Sequence, residues 1–332
     1  MSSARNEGEY KYRPAWWLRN AHAQTLWGRF ARRARIPTVR ECLASRDGDA
    51  LELHHVAGKP GAPRVLLLHG LEGSARSHYV GGILSESHAR GWGATLLVFR
   101  GCGSEPNRAR RFYHSGETDD LAFVFAELSA RWPEVPWFAV GVSLGGNVLL
   151  KWLGDGASTV DARIRAAAAI SVPFDLEAGS RHISRGFVRV YDRSFLRSLR
   201  RKAVAKLPRY PDLFDRDKLA RAKTVYDFDD VVTAPVHGFV SAHDYYAKSS
   251  SLQYLSDIRV PTLLLSSADD PFLPRQVLER AKQAAAANPA LTVEFHDAGG
   301  HVGFVAGSWP WKPVYYAERR VFRFFEKTME RR

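Results

Sequence analysis

The chain has 332 residues, of which 45% are hydrophobic and nine are tryptophan, which is enough for a large buried core and excludes a disordered protein. Its two cysteines exclude a disulfide framework and are typical of a reducing compartment. Residues 1–17 lack an apolar signal segment, and no run approaches the ~20 apolar residues that cross a bilayer, so we expect a soluble, cytoplasmic protein.

The formal net charge of +13 favours anionic partners in general. No recognised nucleic-acid-binding module is present, so we expect no nucleic-acid partner. Two basic segments with interleaved apolar residues, 13–35 and 195–207, are candidates for peripheral contact with an anionic membrane surface. The favoured alternative is that each packs its apolar face on the core and leaves its charges in water.

The spacing of apolar residues predicts alternating strands and helices along the chain. The first element is a hairpin over 41–56 that turns at Asp47-Gly48. Further strands are predicted at 64–70, 94–101, 137–143, 166–173 and 260–270, and a last strand with its exit loop at 291–301. Helices are predicted at 79–91, 115–132, 144–156, 274–290 and 315–332. Ser115 is expected to cap the helix over 115–132, whose first turn is acidic.

Alternation of this kind predicts an α/β fold with a mostly parallel central sheet covered by helices on both faces. The alternation fails between residues 173 and 255, which lack apolar strand runs and are interpreted as a helical cap over the carboxyl edge of the sheet. The expected organisation is a basic and aromatic arm at 1–35 packed on the core, a core from 36–172 and 256–332, and the cap at 173–255.

The sequence Gly-Val-Ser-Leu-Gly at 141–145 places Ser143 between a strand and a helix. A sharp turn there has no room for side chains beside the serine, so Gly141 and Gly145 are expected on steric grounds. The N terminus of the helix favours negative charge that develops at the serine. The pentapeptide alone does not separate a nucleophile from a glycine-rich turn without chemistry.

The partners of a nucleophilic serine follow it in the chain order typical of this kind of sheet. His301 comes directly after the last predicted strand. Asp269 and Asp270 both follow the strand before it, and we favour Asp270 because Pro271 biases its predecessor toward extended backbone. The alternative for either aspartate is a cap of the following helix.

An acyl transfer also needs N–H groups that bind the oxyanion, and we expect these from Leu144 and Leu71. His69 is expected to shape the loop beside Leu71 rather than to transfer protons. Cys102 is expected to be a buried residue rather than a second nucleophile. No spacing of His, Cys or acidic residues predicts a metal site, and no cofactor is expected.

These residues resemble those of α/β-hydrolases, and the surrounding segments resemble the YheT-like branch. The resemblance runs in order along nearly the whole chain, through residues 20–29, 66–74, 99–107, 113–121, 140–154, 243–250, 269–274 and 299–304. Carried over position by position, the charge relay of the family falls on Ser143, Asp270 and His301.

The resemblance implies a cytoplasmic serine esterase or lipase acting on carboxylic esters with short, medium or lipid-like acyl groups. An acyltransferase that passes the acyl group to an alcohol would use the same residues. A non-catalytic ligand-binding member would carry a broken triad, and here all three residue types are present.

Overall fold

The computed structural model describes residues 11–32, 36–156 and 162–330. Residues 1–10 and 33–35 of the expected N-terminal arm lie outside the described residues. The strands of the main sheet are β1 Val39–Ala44, β2 Ala50–Val56, β3 Arg64–Leu68, β4 Gly93–Val98, β5 Trp137–Val142, β6 Ile164–Ile170, β7 Thr262–Ser267 and β8 Leu291–His296. A short pair, β9 Val305–Ala306 and β10 Val314–Tyr315, lies apart from it.

The helices of the described residues surround this sheet. They are α1 Ala21–Ala31, α2 His78–Ala89, α3 Asp119–Arg131, α4 Leu144–Asp155, α5 Leu176–Ile183, α6 Arg189–Val204, α7 Arg216–Arg221, α8 Val225–Phe228, α9 Ala234–Val236, α10 Ala242–Ser249, α11 Arg275–Ala286 and α12 Tyr316–Glu330. A π-helical turn, Asp229–Thr233, joins α8 to α9, and a 3-10 helix, Ser251–Asp257, follows α10. None of these described helices has the length and apolar character needed to cross a membrane.

The sheet runs in the order β1-β2-β4-β3-β5-β6-β7-β8. The strands from β4 to β8 pair in parallel, whereas β1 and β2 are antiparallel to their neighbours. The predicted fold class is therefore confirmed. Because parallel strands are joined by crossovers, the carboxyl ends of β3, β5, β6 and β7 meet at one edge, where this kind of sheet places its functional loops.

The core lies on both faces of the sheet. Leu66 and Leu68 of β3 pack in a cluster with α3, α4 and α11, and the alternating Val65 and Leu67 pack in a second cluster with α2 and α12. Since successive side chains of a strand point to opposite faces, a strand covered on both sides must be apolar throughout. This burial is why β3 to β7 appear in the sequence as continuous apolar runs.

Helix α3 begins four residues after its predicted start, and the prediction for Ser115 is wrong. The Glu117 carboxylate accepts from the first two N–H groups of the helix, so the capping role falls to an acid closer to the helix start. Ser115 lies further back, where its N–H donates to the Tyr245 hydroxyl at 2.8 Å. Its carbonyl accepts from the Asn147 amide at 2.8 Å, which ties the loop to α4.

The chain between β6 and β7 is helical in the described structure, from α5 through the 3-10 helix after α10. Much of it packs around an apolar cluster of its own that includes Leu196, Phe214, Val225 and Phe228. The segment is therefore stabilised partly by itself rather than only by the sheet beneath it.

Helix α6 and the turn after it contain the second basic segment, 195–207, and the sequence predicts its cations in water. That expectation is wrong for three of them. Lys206 is buried and donates to the Asn107 amide oxygen at 2.8 Å and to three backbone carbonyls, and burial lowers the pKa of Lys206 to about 7. Arg200 donates to backbone carbonyls at the C-terminal end of α7, and Lys202 donates to Glu72 at 2.7 Å. Arg200 thus stabilises the helical segment internally, and Lys202 and Lys206 attach it to the loops beneath it.

Candidate active site

Ser143 lies in the turn between β5 and α4 with a φ of 54°, in the left-handed region that non-glycine residues rarely adopt. The turn leaves no space for side chains on either side. A Cβ on Gly141 would lie 2.4 Å from the Gly145 carbonyl oxygen, and one on Gly145 would lie 2.5 Å from the His69 carbonyl oxygen. The Ser143 N–H donates to the Ile170 carbonyl at 2.8 Å, which fixes the turn to β6.

The structure brings Ser143, His301 and Asp270 together. The Ser143 Oγ lies 2.9 Å from His301 Nε2, and His301 Nδ1 lies 2.8 Å from Asp270 Oδ2. The Asp270 side chain is fully buried and that of His301 is 10% exposed. With the proton of the neutral imidazole on Nδ1 facing the carboxylate, Nε2 is free to accept the serine hydroxyl proton. This arrangement can activate Ser143 as a nucleophile.

The two neighbouring aspartates have different partners. The Asp270 carboxylate faces His301, and its second oxygen accepts the Phe272 N–H at 2.8 Å. Asp269 Oδ1 accepts the Gly300 N–H at 2.9 Å. Asp269 therefore holds the loop that carries the histidine, and only Asp270 contacts the imidazole.

The N-terminal helix also holds the histidine loop, a role that no local sequence pattern had indicated. The His301 N–H donates to the Thr25 hydroxyl at 2.9 Å, and the following N–H of Val302 donates to the Ser171 hydroxyl at 3.0 Å. Val302 has a φ of 59°, so the loop is bent sharply beside the imidazole. These contacts join chain segments far apart in sequence, and they fix the position of the ring.

The loop after β3 lies beside the serine and presents one unengaged N–H group. The Gly70 N–H donates to the Tyr79 hydroxyl at 2.9 Å, and the Glu72 N–H donates to the Tyr113 hydroxyl at 3.0 Å. Among the described groups, none accepts a hydrogen bond from the intervening Leu71 N–H. The same is true of the Leu144 N–H at the start of α4. Both groups are available to bind an anionic oxygen.

Two other reactive side chains near the serine contribute to structure. His69 is fully buried, with Nδ1 bonded to the Gly70 carbonyl at 2.7 Å and Nε2 accepting the Phe99 N–H at 3.1 Å. Burial lowers the pKa of His69 to about 4, so this ring stays neutral and braces the loop. Cys102 lies 3.2 Å from the Lys202 ammonium, but burial raises the pKa of its thiol to about 11. The thiolate that a cysteine nucleophile requires is therefore disfavoured.

A cavity of about 1130 Å³ opens beside Ser143 and His301. Its apolar lining comes from α1, the loop after β3 and the helices between β6 and β7, and includes Leu26, Leu71, Ile183, Phe195, Leu199 and Phe272. In the described residues, no group of three or more His, Cys, Asp or Glu is arranged to hold a metal ion.

Comparison with known proteins places this chain in a family. The family of the alpha/beta hydrolase fold matches residues 63–307. The YheT protein of Escherichia coli (strain K12), named as a candidate esterase, is 38% identical over 87% of this chain and 85% of its own. Phospholipase ABHD3 of Bos taurus is 30% identical over 96% of this chain and 78% of its own. The solved esterase Pf2001 of Pyrococcus furiosus shares the fold, with a TM-score of 0.58 at 17% identity over 88% of this chain and 92% of its own.

The chain belongs to the α/β-hydrolase family, and within that family to the YheT-like branch. The family predicted from the sequence is thereby confirmed, and the protein is a hydrolase of esterase and lipase type.

Replacing either aspartate by asparagine tests their separate roles. We expect Asp270→Asn to lower kcat about 10⁴-fold, because an amide favours the wrong imidazole tautomer. Asp269→Asn keeps an oxygen that can accept the Gly300 N–H, so its loss should stay below about tenfold. Both variants are assayed on one ester at equal folded concentration. An inactive Asp269→Asn beside an active Asp270→Asn would reverse the assignment.

Thr25 offers a test of how the N-terminal helix supports the histidine. Thr25→Val keeps the shape but removes the acceptor of the His301 N–H, and we expect kcat to fall about tenfold through displacement of the ring. Thr25→Ser keeps the hydroxyl and should retain most of the activity. Steady-state kinetics and melting temperatures of both variants separate the effect on the ring from a loss of folding. Equal kcat values for the two variants would refute this role.

Proposed function

We propose that the protein hydrolyses carboxylic esters with Ser143 as nucleophile, His301 as general base and acid, and Asp270 as the carboxylate that orients the imidazole. The observation that carries the proposal is the hydrogen-bonded chain from Ser143 Oγ through His301 to Asp270, with contacts of 2.9 and 2.8 Å, beside a large cavity. Membership of an esterase and lipase family supports the same reaction type.

In this mechanism His301 Nε2 takes the Ser143 hydroxyl proton while Oγ attacks the ester carbonyl carbon. Asp270 keeps the proton on Nδ1 and stabilises the imidazolium that forms. The oxyanion of the tetrahedral intermediate accepts from the N–H groups of Leu71 and Leu144. His301 then protonates the departing alcohol, which leaves an acyl group on Ser143. Water, deprotonated by His301, attacks this acyl-enzyme and releases the acid.

We propose an uncharged or lipid-like ester with a short to medium acyl chain, and the apolar lining of the cavity supports an apolar acyl group. Its volume of about 1130 Å³ exceeds the roughly 300–1,000 Å³ of common small-molecule sites, and apolar side chains line much of it. Residues 173–255 would act as a cap over a core of 36–172 and 256–332, since side chains such as Ile183 and Phe195 form part of the cavity wall. One relative of this chain is named a phospholipase, which agrees with a lipid-like substrate.

Contact with an anionic membrane would suit such a substrate, and the basic and aromatic segment 13–35 is the one we propose for it. In its described part, Trp16 is 61% exposed and Phe30 is 77% exposed, and both lie among arginines. Exposed aromatic rings beside cations are favourable at the headgroup level of a bilayer. The segment 195–207 is a poorer candidate, because its cations Lys202 and Lys206 are bound within the protein.

A fluorophosphonate label and an ester panel test the proposal directly. We expect the label on Ser143, and we expect Ser143→Ala to abolish both labelling and the hydrolysis of p-nitrophenyl esters of graded acyl length. The control Ser256→Ala changes an exposed serine outside the site and should leave both unchanged. Turnover that persists in purified Ser143→Ala would defeat the mechanism. Amidase activity without esterase activity would defeat the substrate class.

A further inference from the structure

The loop that carries the Leu71 N–H is a tight turn with an unusual residue in its third position. The Gly73 N–H donates to the Gly70 carbonyl at 2.9 Å, which makes Leu71 and Glu72 the two central residues. Glu72 has a φ of 54°. A positive φ at this position of a tight turn is normally left to glycine or asparagine. A glutamate held there against its backbone preference indicates that its side chain has a function.

The Glu72 carboxylate is nearly buried and is held from two sides. The Tyr113 hydroxyl and the Lys202 ammonium each donate to Oε1 at 2.7 Å, and the Ser198 hydroxyl donates to Oε2. The side chain of Glu72 is 10% exposed. Tyr113 belongs to the loop before α3, whereas Ser198 and Lys202 both belong to α6, so the carboxylate links the turn to the helical segment above the cavity.

The same network also holds the backbone of the turn. The Tyr113 hydroxyl that donates to the Glu72 carboxylate accepts the Glu72 N–H at 3.0 Å. On the other side of Leu71, the Gly70 N–H donates to Tyr79. A change in the Glu72 side chain would therefore be transmitted to the peptide groups on which the direction of the Leu71 N–H depends.

We propose that Glu72 is a positioning residue that holds the Leu71 N–H in place for the oxyanion, and that α6 supplies the cation, Lys202, that keeps Glu72 there. This inference rests on the proposed ester hydrolysis. The helical segment over the cavity then has a second role besides enclosing substrate, because the oxyanion site is complete only when α6 is seated on the turn. Loss of the ammonium leaves a buried carboxylate without its cation, and the turn can relax toward an ordinary φ.

Three variants test the inference. Glu72→Gln removes the charge, Lys202→Met removes the cation but keeps an apolar stem, and Glu72→Gly removes the side chain where glycine suits the backbone. Glu86→Gln and Lys151→Met are matched controls, because each breaks an ion pair away from the turn. Glu86 of α2 pairs with Arg90, which directly follows α2, and Lys151 pairs with Asp155 within α4. Each protein is assayed for kcat and KM on one p-nitrophenyl ester. Its Ki is measured for a trifluoromethyl ketone of the same acyl chain, whose adduct with Ser143 carries an oxyanion.

For the three test variants we expect kcat to fall about 10- to 100-fold and the ketone Ki to rise by a similar factor, with KM within about threefold of wild type. The melting temperature of each variant is measured and rates are compared at equal folded concentration, which separates loss of positioning from loss of folding. The two controls should match wild type in all constants.

Several results would overturn the inference. A Glu72→Gly protein with wild-type kcat and Ki would show that the Glu72 side chain does not position the Leu71 N–H. A raised KM with unchanged kcat would show that Glu72 and Lys202 bind substrate instead, and equal losses in the controls would show a nonspecific effect. If wild type hydrolyses the ester and these variants do so at the wild-type rate, only this inference fails. If wild type hydrolyses no ester and takes no fluorophosphonate label, the proposed function fails as well.

Discussion

A serine with a φ of 54° is in a conformation that costs on the order of 1–3 kcal/mol and persists only where its surroundings determine it. Here the parallel register of β5 between β3 and β6 sets where the strand ends, and Gly141 and Gly145 let three backbone segments approach within contact distance. The strain directs Oγ away from the sheet toward His301 and leaves the Leu144 N–H beside it. Every other feature of the site is arranged around that fixed atom.

Two segments remote from the serine hold the groups that we propose act with it. The N-terminal arm reaches the histidine loop through Thr25, and its buried Gln24 exchanges hydrogen bonds with both backbone groups of Val305 at 3.1 and 2.8 Å. Helix α6 reaches the opposite side, where Lys202 and Glu72 form an ion pair beside the Leu71 N–H. The proposed base and the proposed oxyanion donor are thus each supported by a part of the chain outside the sheet.

Local patterns in the sequence were sufficient to predict the sheet and the residues that surround the serine. Buried parallel strands leave long apolar runs, and the sharp turn leaves its glycines, so β3 to β8 and the position of Ser143 could be predicted. Contacts set by tertiary packing could not be predicted in this way. Thr25 and Glu72 form hydrogen bonds with residues far away in sequence, and Lys206 is a basic residue that is nevertheless buried. Glu117 rather than Ser115 caps α3 because the helix begins later than predicted. A residue's type indicates what it can bond, but not which segment folds against it.

The most direct test is whether Ser143 carries the acyl group during turnover. Mixing the protein with a p-nitrophenyl ester and quenching in acid within the first turnovers should trap the acyl-enzyme, which mass spectrometry of the digested protein can locate. We expect the mass of one acyl group on the peptide that contains Ser143, and none in Ser143→Ala. Turnover with no acyl adduct, or with the adduct on another residue such as Cys102, would contradict a serine hydrolase mechanism at this site.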